Sequence, residues 1–232
     1  MTDIDYTRQR DFFDPEKVDA RVTIVGCGGI GSFTGVALAK LGVREFKLVD
    51  FDHVEAHNVP NQFFYPAQVG MSKVDALAET ISDTAGAIIT GRGSPGPCVM
   101  PYEQSLQAGL PLSPIVISAL DSMSARADLW NLVKNKLDCK LFLDGRLGAE
   151  NVLLYAANPT LPSDQRGYEA TLHTDAEGVD LPCTGRAIID VGFAIGSLMT
   201  RAVRRYYAGE PHTPITYLNQ QTLEIQKGDW LE

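Results

Sequence analysis

The sequence predicts an α/β fold, a mostly parallel sheet flanked by helices, and three observations carry that expectation. Residues 22–25 form a continuous β-branched run, as a strand buried on both faces requires. A glycine-rich turn, Gly26-Cys27-Gly28-Gly29-Ile30-Gly31, follows at once and opens a segment of helical apolar spacing at 30–41, with Gly42 placed as its C-terminal cap. A second strand at 46–50 then ends on Asp50. This order begins a Rossmann-like βαβ unit, whose short right-handed crossover makes neighbouring strands parallel.

The remaining elements follow in order. Residues 72–82 read as a helix, and 86–107 are the least regular stretch, with a turn-rich surface loop at 91–97. A buried strand at 115–120 leads to Asp121; a helix at 124–136 and strands at 140–144 and 151–157 come next. Residues 158–182 carry Pro, Gly, Asp and Ser with almost no apolar period, which predicts a long crossing loop. A helix at 188–207 and one or two closing strands within 215–226 complete the chain. The expected organisation is one domain over 1–232: an N-terminal arm (1–20), a nucleotide-binding core (21–157), the crossing loop (158–186) and a C-terminal helix with strands (187–232).

Composition limits the partners. With 29 acidic against 20 basic residues the chain carries a formal charge of −9, so neither a nucleic acid nor an anionic membrane is an expected partner. The acidic, polar N-terminus is unlike a signal peptide, and no apolar run approaches a membrane span. Cys27, Cys98, Cys139 and Cys183 form no C-x-x-C pair, which predicts no structural zinc and is the usage of a cytoplasmic protein. His53, His57, His173 and His212 do not cluster.

The chemistry concentrates after the two glycine-turn strands. Glycines let backbone approach a phosphate, whose charge is met by amide N–H groups and the helix N-terminus. Asp50, 19 residues beyond Gly31, is placed to accept hydrogen bonds from a ribose diol. Those features alone indicate an adenine nucleotide, with NAD the common occupant. Then follow Asp50-Phe51-Asp52, a polar turn from Asn58 to Gln62 that includes Asn61, and Lys73 on the first turn of a helix. Carboxylates, side-chain amides and a lysine suit phosphates and Mg²⁺, whereas hydride transfer needs none of them. Asp121, at a strand end on the carboxyl edge of the sheet, is a candidate Mg²⁺ ligand or a plain cap of the next helix. Arg126 reads equally as an internal ion-pair residue or a site residue.

Taken jointly, G-x-G-G-x-G, LVDFDHVEAHN, VG-x-x-K and LDSMSAR resemble the ThiF/MoeB/HesA superfamily, which includes the ubiquitin-activating enzymes; the resemblance covers roughly residues 6–209. It implies an ATP- and Mg²⁺-dependent adenylyltransferase acting on the C-terminal carboxylate of a small ubiquitin-like or sulfur-carrier protein, with a peptide substrate as a further possibility. It implies Arg8 reaching the nucleotide of a partner subunit, hence a dimer and most simply a homodimer, because Tyr6-Thr7-Arg8-Gln9 resembles the family's arginine-glutamine segment. It places Gly26, Gly28, Gly29 and Gly31 in the phosphate cradle, Asp50 and Asp52 at the nucleotide, Asn58, Asn61, Gln62 and Lys73 near the phosphates, and Asp121 at Mg²⁺. Asn61 stands where the family usually has an arginine, so a degenerate member serving as a nucleotide- or partner-binding module is the alternative expectation. Cys183, in Pro182-Cys183-Thr184 with Arg186 nearby, resembles the cysteine that accepts the activated carboxyl as a thioester and hands it to a conjugating protein; an unreactive loop thiol is the alternative. Cys27 reads as a packing residue.

Overall fold

The computed structural model describes residues 4–89, 98–107, 109–173 and 188–230. The strands are β1 (Arg21–Val25), β2 (Glu45–Asp50), β3 (Ile88–Ile89), β4 (Cys98–Glu103), β5 (Ile115–Ser118), β6 (Leu141–Gly148), β7 (Asn151–Ala157), β8 (Ile215–Asn219) and β9 (Glu224–Gly228). The helices are α1 (Gly31–Leu41), α2 (Lys73–Ala85), α3 (Met123–Val133), α4 (Pro162–Glu169) and α5 (Ile189–Tyr207). One sheet runs in the order β3-β4-β2-β1-β5-β6-β7-β8-β9. The pairings from β3 to β6 are all parallel, and β7, β8 and β9 add an antiparallel meander.

Alternation along the strands sends side chains to two separate cores, as the period of two demands. Val22 and Ile24 of β1 join Leu38 of α1, Leu77 of α2 and Ile195 of α5 on one face. Val25, Val49 and Phe142 face the other way, onto Trp130 of α3 and Tyr168 of α4. Both faces are covered, which is why the parallel strands read as unbroken apolar runs. Helix α5 lies against α1 through small residues: a Cβ on Gly192 would meet the Phe33 ring at 2.3 Å.

The structure departs from the sequence expectations in two places. The stretch at 86–107 supplies β3 and β4: β4 pairs with β2, Glu45 opposite Cys98, far back in the sequence, and β3 pairs with β4. Residues 158–182, expected to be a loop throughout, begin with α4. Pro162 occupies its first turn, where the missing N–H is no loss. Tyr168 is buried against Trp130 and Phe142, with ring centroids 4.6 and 5.1 Å away, and Trp230 packs so closely on Gly167 that a Cβ there would lie 2.2 Å from its ring. These contacts come from distant segments, so no local apolar period announces the helix. Among the described residues no helix is long and apolar enough to cross a membrane.

Candidate functional site

The glycine turn is fixed by contacts that only glycine permits. Gly26 has φ of +91°, and a Cβ there would lie 2.4 Å from the Ala119 carbonyl oxygen at the end of β5. A Cβ on Gly31 would lie 1.9 Å from the Gly26 carbonyl oxygen. The turn is thus pressed between β5 and the start of α1, with the amide-rich N-terminus of α1 at the carboxyl edge of the parallel strands.

Asp50 ties this turn to β2. Its Oδ2 accepts from the Cys27 N–H at 2.6 Å and its Oδ1 from the Asp52 N–H at 2.9 Å. Cys27 is wholly buried beneath: burial, and then the Asp50 carboxylate, push its thiol well above the ordinary value, against an opposing effect of Lys73. It is a packing residue and not a nucleophile.

Lys73 is brought to the turn by a short backbone ladder. The Val54 N–H donates to Met71 O, Gly70 N–H to Val54 O and Lys73 N–H to Asp52 O, each at 2.8 Å. Ser72 caps α2 by accepting from the Asp75 N–H at 3.2 Å, so Lys73 is the first helical residue. Its Nζ, mostly enclosed, donates to Asp52 Oδ2 at 2.8 Å, while Asp52 remains half exposed. The cation therefore sits next to the glycine turn, held by an acid that water can still reach.

The polar turn lies over the glycines. Asn58 is built into its frame: its side-chain oxygen accepts from the Glu55 N–H, and its carbonyl accepts from the N–H groups of Asn61 and Gln62. Ser32, on the first turn of α1, accepts from the Phe63 N–H at 3.0 Å and anchors the far side. The Gln62 amide lies against Gly28, 3.6 Å from where a Cβ would be. The side-chain oxygens of Asn61 and Gln62 are both buried and have no hydrogen-bond partner among the described residues. Leaving a buried polar atom unpaired costs about 1–3 kcal/mol, and both atoms are acceptors, so the groups that suit them are donors such as a hydroxyl or an amine and not phosphate oxygens.

Asp121 is exposed just beyond β5. The cap of α3 is Ser122, whose Oγ accepts from the Ala125 N–H, so Asp121 is not consumed as a helix cap. Among the described residues its carboxylate has no partner and can take a hard cation. No group of three or more potential metal ligands occurs among the described residues, so any cation here would share its shell with other oxygens.

Arg8 belongs to another region. It is exposed on a short turn whose neighbour Gln9 donates to Leu41 O at 2.6 Å, at the C-terminal end of α1. The glycine turn is at the opposite end of that 11-residue helix, about 16 Å away by helical rise. Cys183 and Arg186 lie outside the described residues. Of the histidines, His53 is 3.6 Å from Glu103 and His57 is 3.4 Å from Glu55, both on the surface.

The sequence missed one cluster. Asp144, fully buried near the end of the parallel part of β6, accepts from Arg126 Nε at 3.0 Å, Arg146 Nε at 2.8 Å and the Tyr168 hydroxyl at 3.1 Å. Arg126 also donates to Gly145 O, and Arg146 to the carbonyl and hydroxyl of Thr171. Burial and then Asp144 push the Tyr168 phenol well above its ordinary range. Arg126 is thus an internal ion-pair residue, joining the first turns of α3, just past Asp121, to β6. Its only sequence signal is an acid ending an apolar strand.

Residues 6–224 match the ThiF family. The chain belongs to that family. Ubiquitin-like modifier-activating enzyme 5 of Bombyx mori is 36% identical over 133 residues, covering 53% of this chain and 33% of its own length. The Drosophila mojavensis protein of the same name is 37% identical over 123 residues, covering 49% and 31%. This ThiF-family chain therefore spans about a third of the length of the curated relatives it matches. Among solved structures, Escherichia coli MccB with MccA-N7isoAsn superimposes with a TM-score of 0.72 at 18% identity, over 93% of this chain and 66% of that one. PaaA gives 0.69 at 18% identity, over 92% and 64%. These two likenesses establish the shared fold.

Proposed function

We propose that this chain activates the C-terminal carboxylate of a small ubiquitin-like or sulfur-carrier protein by adenylation with ATP. The observation that carries the reading is the glycine turn itself, built from contacts that only glycine permits, with the Gln62 amide against Gly28 and the Lys73 cation close to Cys27. Relatives named as ubiquitin-like modifier-activating enzymes support the class of partner. The backbone N–H groups of 28–31 would receive phosphate, Lys73 would neutralise it, and Asp50 would accept from the ribose while keeping its hold on the turn. Asp121 would hold Mg²⁺, which supplies charge neutralisation to the departing pyrophosphate.

A carboxylate tail is already ionised, so the reaction needs no general base. Its oxygen attacks the α-phosphorus, the bond to the pyrophosphate oxygen breaks, and acyl-adenylate forms. The residues act by positioning and by meeting charge. Arg8 lies near the end of α1 opposite its own glycine turn, and a second copy of the chain is the simplest way to bring it to one; the protein is accordingly read as a homodimer. Cys183 would take the acyl group as a thioester for transfer to a conjugating protein.

Partner-dependent exchange of pyrophosphate into ATP tests this reading. Exchange is expected with a cognate small protein and is expected to fall about a hundredfold in Asp121→Ala. A well-folded protein that exchanges with no such partner would refute it. If Asn61 stands where the family carries an arginine, as the resemblance implies, it favours a second reading, a nucleotide- or partner-binding module without turnover. Calorimetry showing ATP binding without exchange selects it, and Asn61→Arg is then expected to restore measurable exchange.

A further inference from the structure

A cleft on the far half of α5 lies outside the nucleotide region. Leu198, Arg201, Ala202 and Arg205 line it from the helix, at the spacing that places four residues on one helical face. The opposite wall is the sheet, where Leu154 of β7 pairs in register with Thr216 of β8, beside Ala156. His212 and Thr213, in the segment after α5, close one end.

The polar groups around this cleft are not balanced. Arg205 is committed: its Nε lies 3.1 Å from Glu210 Oε2, an ion-pair contact off the hydrogen-bond line, and its Nη2 donates to Pro211 O at 3.2 Å. His212 is oriented by Asp164, 2.8 Å from its Nε2. Arg201, by contrast, meets no carboxylate or hydrogen-bond acceptor among the described residues, and the Thr213 and Thr216 hydroxyls have no partner there either. In a chain with 29 acids and 20 bases, a partly buried guanidinium left without an acid is notable, because an acid was statistically easy to supply. Arg201 lines the recess together with the Thr216 hydroxyl of the sheet wall, Thr213 at one end and an aliphatic floor.

We propose that this cleft is a second anion site, binding a small oxyanion between Arg201 and the Thr216 wall, with Arg205 contributing its field. Phosphate and carboxylate share the required chemistry: oxygen atoms that accept from a guanidinium fork and from hydroxyls at once.

Methyl-resolved NMR of the full chain tests this. Inorganic phosphate and, separately, isobutyrate are titrated at constant ionic strength while the methyls of Leu154, Leu198 and Ala202 are followed. Amides of 28–31 report occupation of the glycine turn independently. Saturable shifts of the cleft methyls are expected, weakened about tenfold or more in Arg201→Gln and also reduced in Thr216→Val, with the 28–31 amides unchanged by either substitution. Saturation by phosphate alone assigns a phosphate-type ligand, and saturation by isobutyrate alone assigns a carboxylate. Absence of saturable shifts with both anions, or curves identical in the wild type and both variants, would overturn the proposal.

Discussion

Two polar clusters lie at the carboxyl edge of the same sheet, and they are built in opposite ways. Around Asp144 every group is answered: one carboxylate receives two arginines and a tyrosine, and the arginines spend their further donors on Gly145 and Thr171. Around the glycine turn, polarity is left over: Asn61 and Gln62 have unpaired oxygens, Asp52 is half exposed, and Asp121 has no partner among the described residues. A satisfied buried network rigidifies its surroundings, while an unsatisfied one has its partners arriving from outside. On the function proposed above, the first cluster is framework and the second is site, although both are made of the same residue types.

Substitutions can break this division. The largest effect is expected for Asp144→Asn, which leaves one buried and one partly buried guanidinium without their acid; chemical denaturation should show a loss of about 3–5 kcal/mol. A loss under about 1 kcal/mol would mean that the cluster does not serve as framework. Gly31→Ala forces a Cβ into the Gly26 carbonyl, and a cost of about 3 kcal/mol is expected by thermal unfolding. An unchanged melting temperature would show that the turn can relax and is not the rigid cradle described.

Lys73→Ala should do the reverse of Asp144→Asn. Pyrophosphate exchange is expected to drop about a hundredfold, with stability changed by less than about 1 kcal/mol because Asp52 is half solvated. Equal losses in stability and activity would erase the distinction between the clusters.

The smallest effect sharpens the comparison away from the site. Burial alone would raise the Asp164 carboxyl, but hydrogen bonds from His212, the Asn158 N–H and Trp230 outweigh it and lower its pKa below the ordinary 3.8. An acid depressed in the folded state stabilises above its unfolded pKa, and that stability is lost as pH falls through the folded value. Asp164→Asn should therefore flatten the decline in stability below about pH 4, by roughly 1 kcal/mol at most. A slope as steep as that of the wild type would remove Asp164 from the acid-labile groups.

Legibility in the sequence followed locality. The first βαβ unit was readable because a strand, a turn needing glycine and a helix cap are each encoded within a few residues. Lys73 was readable for the same reason, since Ser72 and the helix it caps are adjacent. Strands β3 and β4 were not, because two or six residues become strands only by pairing with β2 and one another. Helix α4 was hidden because its order comes from Trp130 and Phe142 against Tyr168 and from Trp230 against Gly167, all remote in sequence.

By itself the sequence determined the α/β class, the glycine turn and the set of polar residues gathered after β2, since short-range sterics and periodicity fix these without help from the rest of the chain. The tertiary structure decided which polar residues are spent and which are free. Arg126 became framework because β6 brings Asp144 to it, Asp121 stayed available because Ser122 took the cap, and Arg8 was carried to the far end of α1 by Gln9. Whether a side chain is satisfied depends on what the fold places within 3 Å of it, and that distance is set by packing between segments remote in sequence.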